Sequence, residues 1–344
     1  MRMNEDILVK EVPYCMLCGN QGKPVYQVLR DRLYGSPGIW ELLRCPRCEL
    51  VWLNPRPVST DIGKLYTQYF THNKGSSIPR LPGFAKMIEN AILEARLNYK
   101  GLVNKPWGKS IGKVFSLIKS VRETVELSVM NLEASEKERL LDIGCGCGEF
   151  LARMRDLGWE TTGLDPDREA VKVAREHFGL IVHEGTLENL DFQEESFQAI
   201  TMNHVIEHVD DPIESLKKCR LLLKRNGKLV IVTPNMEGLG SQLFKKAWFP
   251  LDPPRHFYLF SVSTLSACAE RAELRILAVK TTARAARAVW AASRLIRRNG
   301  ALPDGASARR GLWSRLEGII FHAVEDGLTL TKDVGEEVVL VATK

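Results

Sequence analysis

The sequence predicts an α/β protein in which a doubly wound parallel sheet follows a small cysteine-rich module. Short apolar strands alternate with helical segments after about residue 135, which is the pattern of βαβ units. A glycine-rich turn joins the first of these strands to a helix, and two Cys-x-x-Cys pairs precede the whole region. We therefore expect three units, a cysteine module over 1–60, a helical connector over 61–134 and the main domain over 135–344.

The N-terminal module contains four cysteines, and their spacing indicates a metal site. Cys15 and Cys18 form one pair, Cys45 and Cys48 form the other, and 26 residues separate the two pairs. Four thiolates complete the tetrahedral coordination of zinc and leave no open position, so the sequence predicts a structural zinc ribbon. A redox role would account for one pair only. Short apolar runs within 12–58 favour β-hairpins over long helices.

The connector has a different periodicity. Its apolar residues recur at helical spacing and predict a helical segment with one face packed on a larger domain. These residues are Ile111, Val114, Phe115, Ile118, Val121 and Val125.

The main domain reads as a succession of strands and helices. Five apolar segments, RLLDI, WETTGL, LIVHE, FQAITM and KLVIVT, are predicted strands. Helical patterns over 149–157, 167–178 and 212–223 separate them, and a further helix over 263–272 leads to the strand LRILAVKTT. The chain ends on another apolar strand, EEVVLVATK. Such a sheet binds ligands at the carboxyl ends of its parallel strands.

An insertion over about 282–333 separates the last two strands, and it is too long for a simple loop. Its first part predicts a basic amphipathic helix, because its arginines and its apolar residues sort to opposite sides. The arginines are Arg284, Arg287, Arg294 and Arg298, and the apolar residues are Val289, Ala292 and Ile296. Two interpretations remain open. The helix packs on the main domain with a solvated basic face, or segment 284–298 contacts a membrane surface or an anionic substrate.

The glycine-rich segment LDIGCGCGEF predicts a cofactor site. Gly144, Gly146 and Gly148 allow close approach of a ligand to the backbone, and a helix begins directly after them. Asp165 ends the next strand, 23 residues after Asp142, where it can bind a ribose diol. The spacing is G-x-G-x-G, and an acid precedes it. This favours S-adenosylmethionine, which is cationic, over a nicotinamide dinucleotide with its anionic pyrophosphate.

Residues 139–232 resemble the core of class I methyltransferases, in particular the branch of ubiquinone-biosynthesis enzymes. The motifs that carry the resemblance are LDIGCGCGEF, GLDPD, SFQAITMNHVIEHVDDP and LLLKRNGKLVIVTPN. The resemblance implies a seven-stranded Rossmann-like sheet whose terminal strand is inserted antiparallel beside LRILAVK. It also implies that Asp142, Gly144 and Gly146 hold the methionine end of the cofactor and that Asp165 holds the ribose.

The full set of predicted cofactor residues is Asp142, Gly144, Cys145, Gly146, Gly148, Asp165, Pro166, Thr186, Leu187 and Asn203. Two positions depart from the family pattern. Thr186 stands where the family often has an aspartate, and Gln198 replaces the common aspartate after Phe197.

Catalytic residues are predicted in NHVIEHVDDP, which follows the fourth strand. His204, Glu207 and His208 are the candidates there, together with His256 from PPRHFYLFS. One interpretation makes a histidine the general base for an acceptor hydroxyl. In another, Glu207 and His208 brace the loop. In a third, implied by some relatives, Glu207, His208 and His256 bind a divalent cation at the acceptor site.

The N-terminal segment, YCMLCGN through RCPRCELVWLNPRP, resembles the zinc-binding domain of sugar C-methyltransferases. The chain has no counterpart of the large C-terminal domain of those enzymes, which favours O- over C-methylation. The expected acceptor is a small molecule or glycan, such as a sugar nucleotide, a polysaccharide end, or a lipid-linked or quinone-like intermediate. The alternatives are an RNA-modifying enzyme and a noncatalytic assembly module.

The composition fits a globular protein, with 44% hydrophobic and 26% charged residues. The net charge of +6 and the scattered basic residues do not form the basic stripe of a nucleic-acid binder. No apolar run approaches the ~18 residues of a spanning helix, and the start of the chain lacks the features of a secretory signal. We expect a cytoplasmic protein that can also work at a membrane periphery. The oligomeric state is left open.

Overall fold

The computed structural model of the protein describes residues 2–65, 83–103, 108–303 and 312–344. Parts of the predicted connector and insertion, 66–82, 104–107 and 304–311, lie outside the described residues. The strands are β1 Arg2–Asn4, β2 Ile7–Lys10, β3 Lys23–Leu29, β4 Trp40–Arg44, β5 Val51–Asn54, β6 Arg56–Pro57, β7 Arg139–Ile143, β8 Glu160–Asp165, β9 Ile181–Glu184, β10 Phe197–Asn203, β11 Leu223–Pro234, β12 Tyr258–Leu259, β13 Arg275–Thr282 and β14 Glu337–Thr343.

The α-helices lie between these strands. They are α1 Gly83–Leu97, α2 Gly108–Phe115, α3 Lys119–Leu127, α4 Glu149–Asp156, α5 Arg168–Phe178, α6 Pro212–Leu222, α7 Leu239–Phe244, α8 Val262–Arg271, α9 Ala286–Asn299 and α10 Leu312–Leu328.

A seven-stranded sheet forms the centre of the main domain, and its strand order is β13-β14-β11-β10-β7-β8-β9. Strands β7 to β11 pair in parallel, whereas β14 runs antiparallel to both β11 and β13. The predicted α/β class is confirmed, and so is the antiparallel insertion of the terminal strand. Because β14 runs the other way, its first residues lie at the carboxyl edge of the parallel strands, where Glu337 pairs with Pro234.

Both faces of this sheet are buried, as expected for a doubly wound sheet. Successive residues of a strand point to opposite faces, so Leu140 packs with α1 and α3 on one face while Leu141 packs on the other. The second face is covered by α6, by α8 and by the N-terminal module, whose Trp40 and Trp52 belong to the same apolar core as Leu141.

Local sequence signals fix the ends of the core helices. The Asp167 side chain accepts hydrogen bonds from two backbone N–H groups at the start of α5, which ends at the left-handed Gly179. Asp211 caps α6, with Pro212 as its first residue, and Ser261 and Thr264 form a capping box at the start of α8. The predicted helix boundaries therefore differ from the observed ones by about one residue.

The N-terminal residues form two small sheets, one of which includes a strand from the main domain. The first has the order β1-β2-β6, and the second has the order β12-β5-β4-β3. Tyr258 of β12 pairs with Trp52 of β5 across an antiparallel ladder. The predicted boundary at residue 60 stays a prediction, but the cysteine module is completed by residues that lie about 200 positions later in the chain.

The connector is helical as predicted, but its apolar pattern does not form one continuous face. The helix stops at Phe115 and begins again at Lys119, so the register changes between α2 and α3. As a result Val114 and Ile118, both expected on the packed face, are exposed, whereas Val125 is buried. Gly112 allows α2 to pack closely on α1, since a Cβ there would overlap the Ala91 carbonyl.

The insertion folds as two helices, α9 and α10. Helix α9 includes most of the predicted basic segment, with Val289 and Ile296 buried and Arg287 and Arg298 exposed. Arg284 departs from the prediction, because its guanidinium donates to Glu337 instead of facing solvent. Across the part of the chain that the structure describes, no helix is both long enough and apolar enough to traverse a bilayer.

Candidate active site

The loop between β7 and α4 has the backbone geometry that its glycines allow. Gly144, Gly146 and Gly148 have φ values of 71°, 53° and 84°, a region that favours glycine. A Cβ at Gly144 would overlap Val205, which brings the loop after β10 against the glycine loop. The space beside Gly146 is open, because among the described residues, its chain neighbours apart, no heavy atom lies within 4 Å of where its Cβ would stand. A ligand can therefore approach the backbone there.

Two buried carboxylates face this loop from the ends of β7 and β8. Asp142 Oδ1 accepts a 2.6 Å hydrogen bond from the Thr201 hydroxyl. Asp165 accepts from the backbone N–H groups of Gly146, at 2.7 Å, and Asp167, at 2.9 Å. Burial raises the pKa of Asp142 to about 7, because the desolvation and the charge of Asp165 outweigh the bond from Thr201. Burial likewise raises the pKa of Asp165.

This pair of acids fits a cofactor that carries positive charge and hydroxyl donors. Buried carboxylates are costly unless a cation or a donor compensates them. S-adenosylmethionine offers an ammonium, a sulfonium and a ribose diol, whereas a pyrophosphate would add negative charge beside Asp142 and Asp165.

The remaining predicted cofactor residues lie at the same edge of the sheet. Pro166 follows β8, Thr186 and Leu187 follow β9, and Asn203 ends β10. Cys145 and Leu187 are buried in the apolar core, whereas Pro166 and Asn203 are exposed. Burial raises the pKa of the Cys145 thiol, which keeps it neutral. The structure thus brings all ten residues to the carboxyl ends of β7 to β10, and their roles stay predictions.

His204 lies between two carboxylates directly after β10. Its Nδ1 is 3.3 Å from Glu207 Oε1, and its Nε2 is 2.9 Å from Glu337 Oε1. Burial lowers the pKa of His204, but the hydrogen bonds and charges of Glu207 and Glu337 outweigh this effect. The net result is a pKa raised to about 10. A histidine that is protonated at neutral pH cannot accept a proton, so this geometry argues against His204 as the general base.

Glu337 was not identified from the sequence. It is buried, and it also accepts two hydrogen bonds from Arg284, at 2.9 and 3.0 Å. A signal was nevertheless present, because an antiparallel terminal strand must begin at the carboxyl edge of the parallel strands. The acidic pair at the start of EEVVLVATK therefore lies at the site and not at the opposite edge.

His208 and His256 lie side by side, with ring centroids 4.6 Å apart in an edge-to-face arrangement. His208 Nδ1 is 3.1 Å from the Arg255 carbonyl oxygen, and His256 Nδ1 is 2.7 Å from the Pro250 carbonyl oxygen. A carbonyl can only accept, so the Nδ1 atoms of both rings carry a hydrogen. Burial and the neighbouring His256 lower the pKa of His208 to about 4. His208 is therefore neutral at pH 7, as a base must be.

Arg255 connects this histidine to the N-terminal module. Its guanidinium is buried and makes two parallel bonds to the Asp31 carboxylate, at 2.7 and 2.8 Å, and it also binds Asp252. Asp31 in turn accepts hydrogen bonds from the backbone N–H groups of Leu33 and Ser36. The Arg255 carbonyl accepts from His208. Asp31, a residue of the cysteine module, therefore helps to fix the His208 ring by holding Arg255.

Further contacts hold the histidine loop against the module. The backbone N–H of Phe257 donates to the Glu207 carbonyl at 2.8 Å, and the N–H of Leu53 donates to the Phe257 carbonyl at 2.9 Å. Arg56 donates to the backbone and side chain of Asp210. Asp31, Arg56 and Arg255 escaped the sequence analysis because no local pattern links residues so distant in the chain.

The four module cysteines converge as predicted. Their sulfur atoms all lie within 4.8 Å of one another, with separations such as 3.4 Å for Cys15–Cys48 and 3.2 Å for Cys18–Cys45. These distances exceed the ~2.05 Å of a disulfide. The two pairs have matching turns, since Gly19 N–H donates to the Cys15 carbonyl and Glu49 N–H to the Cys45 carbonyl. The cluster is compatible with tetrahedral zinc.

A second group of potential metal ligands lies in the histidine cluster. Glu207, His208 and His256 offer ligand atoms within 4.8 Å of one another, as the cation interpretation requires. However, both carboxylate oxygens of Glu207 already have protein partners, one being His204 and the other the Thr233 hydroxyl at 2.9 Å. These hydrogen bonds are the ones that the bracing interpretation expects of Glu207, and that role stays a prediction.

The strand order, the antiparallel β14 and the glycine loop with its two acids define a class I methyltransferase domain. Comparison with known proteins agrees, because residues 118–279 match the family model described as a methyltransferase domain. The chain is therefore similar to this family over those residues.

Among curated proteins, the chain is similar to ubiquinone biosynthesis O-methyltransferases. That of Haemophilus ducreyi is 33% identical over 108 residues, which cover 28% of this chain and 46% of the relative. That of Xanthomonas axonopodis pv. citri is 40% identical over 103 residues, which cover 28% and 43%. The chain thus spans less than half the length of these relatives.

A solved structure of an S-adenosylmethionine-dependent methyltransferase from Mesorhizobium loti is also similar. It is 16% identical, it aligns with 64% of this chain and 97% of its own, and the TM-score is 0.44.

Proposed function

We propose that the protein is an S-adenosylmethionine-dependent methyltransferase that methylates a hydroxyl group of a small molecule or glycan. The observation that carries this proposal is the contact between the glycine loop and the loop after β10, where Val205 packs on Gly144. The loop after β10 also carries His208, whose backbone N–H donates to the Val205 carbonyl at 2.9 Å, and this supports the pairing of a cofactor site with a neutral histidine. Bound S-adenosylmethionine supplies an electrophilic methyl group.

The residues at the glycine loop bind and orient the cofactor. Asp142, Gly144 and Gly146 hold the methionine end, and Asp165 accepts hydrogen bonds from the ribose. Cys145, Gly148, Pro166, Thr186, Leu187 and Asn203 complete the walls of the site. Orientation of the two reactants can contribute ~7 to 11 kcal/mol to the lowering of the barrier.

His208 accepts the proton of the acceptor hydroxyl at Nε2. The Arg255 carbonyl fixes its tautomer, and Glu207, His204 and Glu337 hold the loop that carries it. A base is needed for a hydroxyl acceptor, and the names of the curated relatives also support O-methylation. A quinone-like or sugar-containing acceptor fits this chemistry. An RNA acceptor and a noncatalytic role are the competing proposals.

We also propose zinc in the four-cysteine site, where it stabilises the module that holds Arg255 and Asp210. Binding of a divalent cation by Glu207, His208 and His256 is a second candidate role for the histidine cluster. It is favoured because their ligand atoms lie within 4.8 Å of one another. The cation would bind acceptor oxygens instead of requiring a base. The test removes the cation from the histidine cluster while zinc stays in the four-cysteine site. Activity that survives this removal would contradict the second role.

The test of the proposed function is calorimetric titration of the full chain with S-adenosylhomocysteine, with NAD as the negative control. We expect micromolar affinity for the former, loss of that affinity in Asp165→Ala, and normal affinity in His208→Ala. His208→Ala should lower methyl transfer to an accepted catechol or sugar nucleotide by ~10²-fold or more. Absence of binding by folded wild-type protein would refute the assignment, and equal binding of NAD would refute the choice of cofactor.

A further inference from the structure

The outward face of helix α10 is apolar along residues 316–328, the part of the helix whose side chains the structure describes. Leu316, Ile319, Ile320 and Val324 expose 42, 44, 63 and 51% of their surface. Ala323 and Gly327, which lie between them on the helix, are exposed as well. Positions 316, 320 and 324 follow one another at intervals of four residues and therefore form a row. A helix on the surface of a globular domain normally presents polar residues to water.

The opposite face of α10 is packed, so the exposed face is not an alternative packing surface of the same helix. Gly318, Phe321 and Glu325 are buried at helical spacing. The Phe321 ring lies 4.4 Å from the Trp290 ring, and Glu325 accepts a 2.8 Å hydrogen bond from the backbone N–H of Glu336. These contacts fix the rotation of α10 about its axis and leave the apolar row outside.

Helix α9 runs antiparallel beside α10 and contributes positive charge. The direction follows from two contacts, since His322 donates to the Ala283 carbonyl at 3.0 Å while Arg294 pairs with Glu317. Arg287, Arg294 and Arg298 are exposed and lie on one face of α9, at intervals of seven and four residues. A row of arginines therefore flanks the apolar row.

We infer that α9 and α10 together bind the surface of a membrane that contains anionic lipids. The apolar row of α10 enters the acyl boundary, and the arginines of α9 meet the lipid headgroups. Charge complementarity selects this occupant over a second copy of the chain, because a twofold contact through this face would bring its arginines close to their own copies. The sequence had suggested only the basic helix as the contact, whereas the structure assigns the apolar part to α10.

The inference does not depend on the proposed methyl transfer, and vesicle sedimentation tests it. Vesicles of phosphatidylcholine alone are compared with vesicles in which phosphatidylglycerol replaces about one quarter of the lipid. The full chain should bind the anionic vesicles, and raised salt should weaken the binding. Ile320→Asp should weaken it by roughly tenfold or more. Arg287→Gln with Arg298→Gln should weaken it by roughly fivefold for each arginine.

Ile181→Asp is the matched control, because Ile181 is 66% exposed on the edge strand β9, outside the insertion. It should bind vesicles like the wild type. Val324→Asp provides a second α10 variant, and an unchanged thermal midpoint shows that each variant folds. Unchanged affinity for S-adenosylhomocysteine separates this test from a failure of the proposed function.

Three results would overturn the inference. The wild type does not bind anionic vesicles, or Ile320→Asp and Val324→Asp bind as well as the wild type. In the third, the wild type is a dimer that Ile320→Asp converts to a monomer, without any binding to vesicles. That result would make the face a contact between two copies.

Discussion

The glycine loop and the histidine cluster lie at the same edge of one sheet, but they are assembled from very different spans of chain. The contacts of the cofactor side span fewer residues, since Asp165 bonds to Gly146 across 19 residues and Asp142 bonds to Thr201 across 59. Arg255, which positions His208, bonds to Asp31 across 224 residues, and His204 bonds to Glu337 across 133. The cofactor side is therefore assembled from neighbouring strands of the main domain, whereas the acceptor side depends on the N-terminal module, the insertion and the last strand.

The largest expected effect comes from removing the metal site. This change should disable the acceptor side and leave the cofactor side intact. Cys45→Ser should abolish zinc binding and unfold the N-terminal module, because structural zinc contributes on the order of 10 kcal/mol to folding. The affinity for S-adenosylhomocysteine should stay within a few-fold of wild type, because the glycine loop is held by hydrogen bonds to Leu164 and Asp165 of the main domain. Metal analysis, limited proteolysis and calorimetry measure the three effects.

Cys147→Ser, in the glycine loop, is the control and should keep one zinc per chain. Retention of zinc and of protease resistance in Cys45→Ser would rule out the metal site. Loss of cofactor affinity together with zinc would break the comparison, and the two sides would then form one cooperative unit.

A smaller effect is expected from Asp31→Asn, which leaves the buried Arg255 without one of its two carboxylate partners. Breaking a buried ion pair in this way costs ~3 to 5 kcal/mol in the free energy of unfolding. Urea denaturation measures the loss, and zinc content and cofactor affinity should be unchanged. Glu195→Gln removes the partner of Lys344 in an exposed pair and should not shift the urea midpoint measurably. Equal effects of the two substitutions would mean that Arg255 does not depend on Asp31.

The smallest effect concerns two buried glutamates near Glu337, which are Glu325 and Glu336. Burial raises the pKa of Glu325 to about 9 and that of Glu336 to about 7; the charge of Glu336 adds to the first shift and the charge of Glu337 adds to the second. Unfolded glutamates have an ordinary pKa of 4.5, so between these values the folded chain holds protons that the unfolded chain has released. The contribution of Glu325 and Glu336 to the free energy of unfolding is therefore largest below pH 4.5 and falls as pH rises toward 9.

Glu325→Gln should remove most of this pH dependence and stabilise the chain at pH 8 by roughly 1 to 2 kcal/mol. Thermal unfolding at pH 5 and at pH 8 measures it. Glu270→Gln, at an exposed position of α8, should leave the difference between the two pH values as in the wild type. A Glu325→Gln variant that is less stable at pH 8 would show that the carboxylate is needed in its charged form.

The sequence was informative where contacts are local, and this explains which parts of the molecule it predicted. Strand and helix patterns gave the main sheet, and the glycines between β7 and α4 indicated the ligand edge, because strand alternation and turn chemistry act over a few residues. The residues Asp31, Arg255 and Glu337 needed the tertiary structure, since each is an ordinary charged residue until the fold brings its partner near. The exposed row on α10 was missed for the same reason, because periodicity alone does not tell which face of a helix is covered.

The two-residue strand β12 has a consequence for the order in which the protein is made. Strand β5 is complete once residue 54 has been synthesised, but its partner Tyr258 leaves the ribosome only after some 200 further residues. During that interval one edge of the cysteine module has unpaired backbone groups next to Trp52, and such edges recruit other chains. Cells that produce this protein rapidly should therefore need chaperone protection of nascent chains in this length range, before the main domain can supply the missing strand.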